Sequence, residues 1–384
     1  MTLLHGARLL LPTGERPGAW LRVDGARVAA IGDAGDEPAT APDEPRLDLR
    51  GRWVVPGFVD VHVHGGAGAA FEADSAERAR DAIAHHRRHG TTTMVASVLS
   101  RPLADMEAAC RTLLELVRDG ELAGIHLEGP YLHPDRRGAH DPRNLRTPDR
   151  AEIASLLRAG DGAVRMVTLA PELPGGLDLV REVTAHGAVA AVGHSDATYA
   201  QTHAAIDAGA RMATHLCNGM RGIHHREPGP VVAALEREEV TVEVINDGFH
   251  VHPGMVRLIA RVAGPRLAFV TDAVAFSGLP DGDYVFDGRP VQVRDGAVHL
   301  AESGALAGSS LTMAEAVRRA VRDVGLPLAD AVAAATTTPA QALGLADVAG
   351  TLAPGRRADL VVLDDDLEVV AVMAAGSWVE GPPS

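Results

Sequence analysis

The sequence predicts an α/β fold: a closed (β/α)8 TIM-like barrel accompanied by a small β-sandwich domain built from both chain ends. Three observations carry this expectation. Between about residues 53 and 274, eight β-prone runs alternate with amphipathic helical stretches, the pattern of parallel strands joined by helical crossovers. Segments 1–52 and 350–384 each hold strand-like pieces separated by Gly and Asp turns, and each is too short for a core of its own. They are therefore expected to pair into one β-domain, with 53–349 forming the barrel. No Gly-rich dinucleotide fingerprint follows the first barrel run, which disfavours a doubly wound open sheet.

Residues 3–11, 19–23 and 27–31 read as the N-terminal strands, and the Pro-rich 38–45 as a surface loop. Barrel strands are expected at 54–64, 92–99, 124–128, 165–171, 188–194, 212–216, 240–247 and 267–272, each a short β-prone run. Of the helices between them, 75–89 starts at a Ser75 cap with Glu77 near its start, and 103–119 ends at Gly120. Residues 281–302 form an insertion after the eighth strand, with Asp287-Gly288 and Asp295-Gly296 marking β-hairpin turns. Helix returns over 313–343, divided by Pro327, and 359–363 and 368–373 supply the C-terminal strands.

The 384 residues include 36 Lys+Arg against 51 Asp+Glu, a net charge of −15, and every one of the 36 is Arg. With no Lys amine, Schiff-base catalysis, pyridoxal-phosphate anchoring, the phosphate-loop lysine and a carboxylated-lysine metal bridge are excluded. The acidic balance argues against general nucleic-acid binding. Hydrophobic content of 46% and charged content of 23% describe a soluble globular protein. Residues 1–12 lack a basic stretch ahead of their short apolar run, and Arg8 lies within it, so neither signal peptide nor membrane segment is expected. Cys110 and Cys217 cannot build a disulfide framework, which points to a cytoplasmic location.

Six metal-competent residues fall at the C-terminal ends of expected strands: His62 and His64, Glu128, His194, His215 and Asp272. Strand side chains alternate, so His62 and His64 share a face and point into the barrel mouth. Imidazoles with carboxylates suit Zn²⁺, or Fe²⁺, Co²⁺ or Mn²⁺. A divalent ion with three protein ligands and one open position lowers the pKa of water from 15.7 to about 7. Glu128, His194 and His215 can supply one such centre, and His62 and His64 a second beside it, with Glu128 as the bridge that lysine cannot provide.

At this point the chain resembles the N-acetylglucosamine-6-phosphate deacetylases of the amidohydrolase superfamily. The resemblance rests on Pro56-Gly57-Phe58-Val59-Asp60-Val61-His62-Val63-His64-Gly65-Gly66, His126-Leu127-Glu128-Gly129-Pro130, Gly193-His194-Ser195 and Thr214-His215-Leu216-Cys217-Asn218-Gly219-Met220. It continues through His225-Arg226-Glu227-Pro228-Gly229, Asp247-Gly248-Phe249-His250, Thr271-Asp272-Ala273 and Leu306-Ala307-Gly308-Ser309. The C-terminal run from Pro354 to Val361 is shared across the superfamily and supports the fold more than the substrate. The resemblance implies a barrel of the metal-dependent hydrolase type, with Glu128, His194 and His215 on the principal metal and Asp272 as catalytic acid/base. It implies substrate contacts at Ala139, His140, Asn218, Gly219, Arg226, the turn from Asp247 to His250, and Leu306, Ala307 and Gly308. Hydrolysis of the acetyl group of a phosphosugar, one or two divalent metals and a homodimer with phosphate contacts from a neighbouring subunit are implied as well. Some members lack the first histidine pair and use one metal; this chain keeps His62 and His64, which leaves room for two. Cys217 stands where the family often has an aromatic residue, and Gly219 where Ala is common.

Read physically, Asp272 can take a proton from water and return it to a leaving amine. His250 or His140 is suited to polarise an acetyl carbonyl or hold a sugar hydroxyl, and Arg226 offers a planar fork to a phosphate or to an acid. Several residues have plainer readings. His126 is expected as a satisfied core histidine, His85, His86 and His89 as a solvated helix face, His224 and His225 as loop surface or, for one of them, a phosphate contact beside Arg226, and Cys217 as a small buried hydrophobe. The competing functions are an amidohydrolase acting on another N-acyl or cyclic amide, such as an N-acyl-amino acid, and a catalytically dead binding barrel.

Overall fold

Gly57 is where the expected first strand, 54–64, divides in two. The computed structural model describes all residues except 73, 74, 287 and 384. It has one strand at Trp53–Pro56 and another at Phe58–Val63. A Cβ on Gly57 would lie 2.1 Å from Thr92 Oγ1, so only glycine fits, and the Gly57 N–H donates to Asp359 O at 2.9 Å, in register with the first of the two strands.

The chain divides into two compact units. One comprises Met1–Asp60, His86–Thr93 and Met313–Ser384; the other comprises Val61–His85 and Met94–Thr312. In the first, an eight-stranded sheet runs in the order Ser377–Trp378, Val369–Ala374, Leu360–Leu363, Trp53–Pro56, Thr2–Leu11, Gly14–Asp24, Arg27–Gly32, with Arg46–Asp48 also on Thr2–Leu11. The chain ends meet here: Leu360–Leu363 lies antiparallel to Trp53–Pro56, with Val361 opposite Val55. Alternate side chains from these strands, among them Leu4, Leu9, Leu21, Val54, Leu360 and Val362, form its core. The sheet thus takes in residues beyond the expected boundary at 52.

The second sheet is the near-closed barrel, eight strands in sequential order: Phe58–Val63, Thr91–Val98, Gly124–Glu128, Val164–Leu169, Val189–Val192, Met212–Ala213, Thr241–Ile245 and Leu267–Val270. Past the last strand, Asp272 N–H donates to His62 O and His64 N–H to Ala273 O, 2.9 and 2.8 Å, closing the ring at the level of the metal-competent residues. Helix Leu103–Arg118 shows how the outer layer packs. Met106, Ala109, Cys110, Leu113 and Leu116 recur at helical spacing and are buried.

Helix Ala76–Arg88 begins at Ser75, whose Oγ accepts from Arg78 N–H at 3.3 Å. Its histidines correct an expectation. His85 and His86 are buried, because His86 extends the stripe of Ala79, Ala82 and Ile83, while His85 Nε2 reaches Ser277 Oγ at 3.0 Å. The insertion is a four-stranded antiparallel sheet, Gly282–Phe286, Arg289–Arg294, Ala297–Leu300 and Leu306–Ser309. Asp295 and Gly296 turn with φ of 52° and 81°, as an Asp-Gly hairpin requires, whereas the Asp287 of the other expected turn lies outside the described residues. The helical stretch after it breaks at Pro327 and again near Ala335, leaving Met313–Arg319, a π-helical turn Ala320–Val324, Leu328–Ala334 and Thr337–Ala342. Among the described residues, no helix is long and apolar enough to cross a membrane.

Candidate metal centre and active site

Seven of the eight barrel strands end one to three residues earlier than expected, Gly124–Glu128 ending as expected, and the site is built at their C-terminal ends and in the loops just beyond. His194, His215 and Asp272 each sit two residues past their strands, with φ of 47°, 29° and 49°. These are left-handed conformations that non-glycine residues adopt rarely and at a cost of about 1–3 kcal/mol each. They aim three side chains into one cavity of about 170 Å³, which His64, Glu128, His140 and His250 also line.

Two donor sets meet there. Glu128 Oε1, His194 Nε2 and His215 Nε2 lie 3.0 to 3.1 Å from one another. His62 Nε2 and His64 Nε2 are 3.1 Å apart, and Asp272 Oδ1 is 3.4 and 3.2 Å from them. Glu128 faces both sets, with Oε1 3.5 Å from His62 and Oε2 3.3 Å from His64. Asp272, metal-competent by type and expected as the acid/base but assigned to neither centre, is thus a member of the second set.

Hydrogen bonding decides what these nitrogens present. His194 Nδ1–H donates to Arg136 O at 2.8 Å, so the Nε2 of the neutral ring is a lone pair. His140 Nδ1 accepts from Ser100 N–H at 3.4 Å, so its Nε2–H donates to Glu128 Oε2 at 3.2 Å. In that tautomer the His194 Nε2 lone pair faces Glu128 Oε1, an arrangement that suits a cation between them. Ligands about 2.0–2.1 Å from a tetrahedral zinc ion are about 3.3 Å apart, within a few tenths of an ångström of the separations here. The donor chemistry and the spacing both fit a divalent cation in each set.

Charge works in the same direction. Burial would lower the His64 pKa, but hydrogen bonds to Asp272 and Glu128 and their charges outweigh it and raise it to about 9. His62 is likewise raised against its burial by the Glu128 and Asp272 charges. Burial would raise the carboxylates, yet His62 holds Glu128 well below its usual range, and His62 and His64 bring Asp272 to about 2. Positive charge is wanted here, and protons supply it where no cation does.

Of the expected substrate residues, Ala139, His140, Asn218, Gly219, His250, Leu306 and Gly308 line the cavity. Asp247 is buried behind His250, accepting its Nδ1–H at 2.6 Å and capping the Phe249 and His250 N–H groups at 2.8 Å. Ala307 is buried in the inserted sheet. Arg226 stands apart from that lining, exposed on its loop with Nη1 2.8 Å from His225 Nε2; His224 and His225 are exposed too. Cys217 is half-buried, and burial pushes its thiol up to about 11. His126 is a satisfied core histidine, bonded to Ser97 Oγ at 2.9 Å and Thr168 Oγ1 at 2.8 Å.

One residue at the centre was not singled out in the sequence. Glu243, wholly buried in Thr241–Ile245, bonds to His62 Nδ1 and accepts from His215 N–H. The signal was an acid alone between Val242 and Val244 in an otherwise uncharged strand.

The Amidohydrolase family model matches residues 53–379. An N-acetylgalactosamine-6-phosphate deacetylase of Escherichia coli O157:H7 is 37% identical over 383 residues, 99% of this chain and 98% of that protein. An N-acetylglucosamine-6-phosphate deacetylase of Vibrio furnissii is 36% identical over 85% of this chain and 82% of its own length. The solved structure of a mutant N-acetyl-D-glucosamine-6-phosphate deacetylase from Mycobacterium smegmatis, in complex with N-acetyl-D-glucosamine-6-phosphate, superposes with a TM-score of 0.93 at 48% identity over 98% of this chain and 99% of that one. With the donor sets at the mouth of a barrel and these likenesses over nearly its full length, the chain belongs to the amidohydrolase family, in its N-acetylglucosamine-6-phosphate deacetylase branch.

Proposed function

We propose that the chain is a metal-dependent deacetylase that hydrolyses N-acetyl-D-glucosamine 6-phosphate to D-glucosamine 6-phosphate and acetate, serving amino-sugar catabolism and cell-wall recycling. The observation that carries the reading is the position of Asp272. Its carboxylate opens on the cavity that Glu128, His194 and His215 share, is held ionised, and lies within 3.4 Å of the His62 and His64 nitrogens. The substrate assignment is supported by the phosphosugar named for the Mycobacterium smegmatis structure at 48% identity.

Glu128, His194 and His215 would hold one divalent ion, zinc first and iron, cobalt or manganese as alternatives, and His62, His64 and Asp272 a second, with Glu128 facing both. Bound there, the cation supplies Lewis acidity toward the acetyl carbonyl and makes water more acidic. Asp272 accepts the proton of the attacking water and returns it to the leaving amine. With a pKa of about 2, it is a carboxylate at neutral pH when each turnover begins. His140 is committed to Glu128 through Nε2–H, so His250, held at Nδ1 by Asp247, is the imidazole that polarises the acetyl oxygen. Leu99, Val274, Phe286 and Leu306 give the cavity apolar walls that exclude water. We assign the phosphate to Arg226, reached from its own loop or across a homodimer interface. The two free cysteines suit a cytoplasmic enzyme.

Acetate release from a panel of N-acylated compounds tests the reading. Phosphorylated N-acetylglucosamine is expected to turn over at least about tenfold better than the unphosphorylated sugar, and Arg226→Ala to lose most of that preference. Equal turnover of the two sugars would favour an amidohydrolase for another N-acyl or cyclic amide. Asp272→Asn should lower kcat by roughly 10²–10⁴-fold while the ion at Glu128, His194 and His215 stays bound. Near-normal turnover in that variant would sink the mechanism, and no hydrolysis of any compound after zinc reloading would return the catalytically dead barrel.

A further inference from the structure

Glu243 is the lone acid of the strand Thr241–Ile245. It is wholly buried and stands apart from the cavity lining. Its Oε2 meets two groups, His62 Nδ1 and the His215 backbone N–H, each at 3.2 Å, while Oε1 is buried with no hydrogen-bond partner. The two groups it meets belong to different donor sets: His62 to the set with His64 and Asp272, His215 to the set with Glu128 and His194. The Glu243 main chain adds a third hold, its carbonyl accepting from Leu216 N–H at 2.8 Å. Side chain and backbone together thus pin the His215 turn, where φ is 29°.

The consequence for His62 is a matter of tautomer. A ring that donates Nδ1–H to a carboxylate keeps its Nε2 lone pair free for a cation. Without that acceptor, the ring can place its proton on Nε2, between the nitrogen of His64 and the oxygens of Glu128 and Asp272, where it blocks the site. His126 cannot take over. His126 packs edge-on against His62, centroids 4.6 Å apart at 80°, but both its nitrogens are engaged by Ser97 and Thr168.

We propose that Glu243 is the positioning residue that makes this a two-cation centre. It presets His62 for the set with His64 and Asp272, and it ties that set to the one around Glu128 through the His215 backbone. The inference rests on the proposed function, in which cations occupy both sets.

Wild type, Glu243→Gln and Glu243→Val are stripped with a chelator and reloaded with zinc. Zinc per subunit is measured by elemental analysis, and affinity by competition with a chromogenic chelator. Wild type and Glu243→Gln should each bind two ions, since the Gln oxygen can accept in the same place and its amide nitrogen replaces the unpartnered oxygen. Glu243→Val should bind one ion tightly and hold the second at least about tenfold more weakly. The inference is overturned if Glu243→Val keeps both ions at wild-type affinity, if it loses both while its thermal melt is unchanged, or if Glu243→Gln behaves like the Val variant. A wild type that binds a single zinc overturns the two-cation reading itself, a different failure. A second measurement needs no Val variant to fold: ring ¹⁵N spectra of the zinc-loaded wild type should have His62 protonated at Nδ1, and protonation at Nε2 would also overturn the role.

Discussion

Asp247 and His250 illustrate how one hydrogen bond sets two ionisations. Burial would raise the acid and lower the base, but their 2.6 Å contact reverses both, holding Asp247 below and His250 above their ordinary values. The imidazolium contribution is complete below about pH 6.5 and is lost as pH rises through the raised value, so the charged donor survives into the range where a free histidine is neutral. If that donor polarises the acetyl oxygen, kcat/KM falls on the alkaline side as His250 deprotonates. Asp247→Asn removes the charge and leaves burial to dominate, so that limb should move to lower pH and kcat/KM near pH 8 should drop roughly tenfold, the worth of about 1.4 kcal/mol of charge-assisted bonding. Profiles of both proteins from about pH 6 to 9 decide it; superimposable limbs would remove His250 from the chemistry. At this scale the sequence was informative where chemistry demands a residue type. His62, His64, Glu128, His194, His215 and Asp272 all reach one site because few other roles place six such groups at strand ends. Glu243 and the buried His85 were not legible, because their environment is decided by partners remote in the chain, His62 and His215 for the first and Ser277 for the second.

The elements show where local pattern runs out. Strand-forming composition continues through Gly193-His194 and Thr214-His215, so those strands were expected to run to 194 and 216, yet pairing stops at Val192 and Ala213. Nothing in a histidine or aspartate side chain announces a positive φ; the surrounding structure imposes it. Alternation of strand and helix still sufficed for the barrel, because each run needs only its approximate place for the order to follow. The same turns make a test. Gly308, φ 63°, lies in the strand Leu306–Ser309, whose Ser309 N–H donates to Asp272 O at 2.8 Å. A Cβ on Gly308 would stand 2.8 Å from that carbonyl and 2.5 Å from Val274 Cγ1. Gly308→Ala should therefore displace Asp272 and cost roughly 1–3 kcal/mol of stability through strain and overpacking. With Asp272 off its mark, kcat should fall roughly tenfold, as expected when a reacting group is misplaced. A melt and a kcat equal to wild type would mean that the turn yields without moving the acid.

For the whole molecule, the consequence is that cation binding and folding stability are linked through pH. Without a cation, the buried Glu128 and Asp272 are neutralised by protons on His62 and His64. The His64 contribution is complete below about pH 6.5 and is lost as pH rises through about 9. The Asp272 contribution has the opposite sign, complete above about pH 4 and lost as pH falls through about 2. Between about pH 6.5 and 9, only the histidine loss operates, so the stripped protein should melt several degrees lower at the alkaline end. Zinc needs neutral imidazoles, so its affinity rises over the same interval and offsets that loss. The net charge of −15 grows with pH in both forms, and that general repulsion cancels in the comparison. The difference in Tm between zinc-loaded and stripped protein should therefore be larger at pH 9 than at pH 6.5, a lower limit chosen to stay clear of the pI near 5.6. A difference that is constant or shrinks with pH would mean that protons on His62 and His64 do not stand in for the ion.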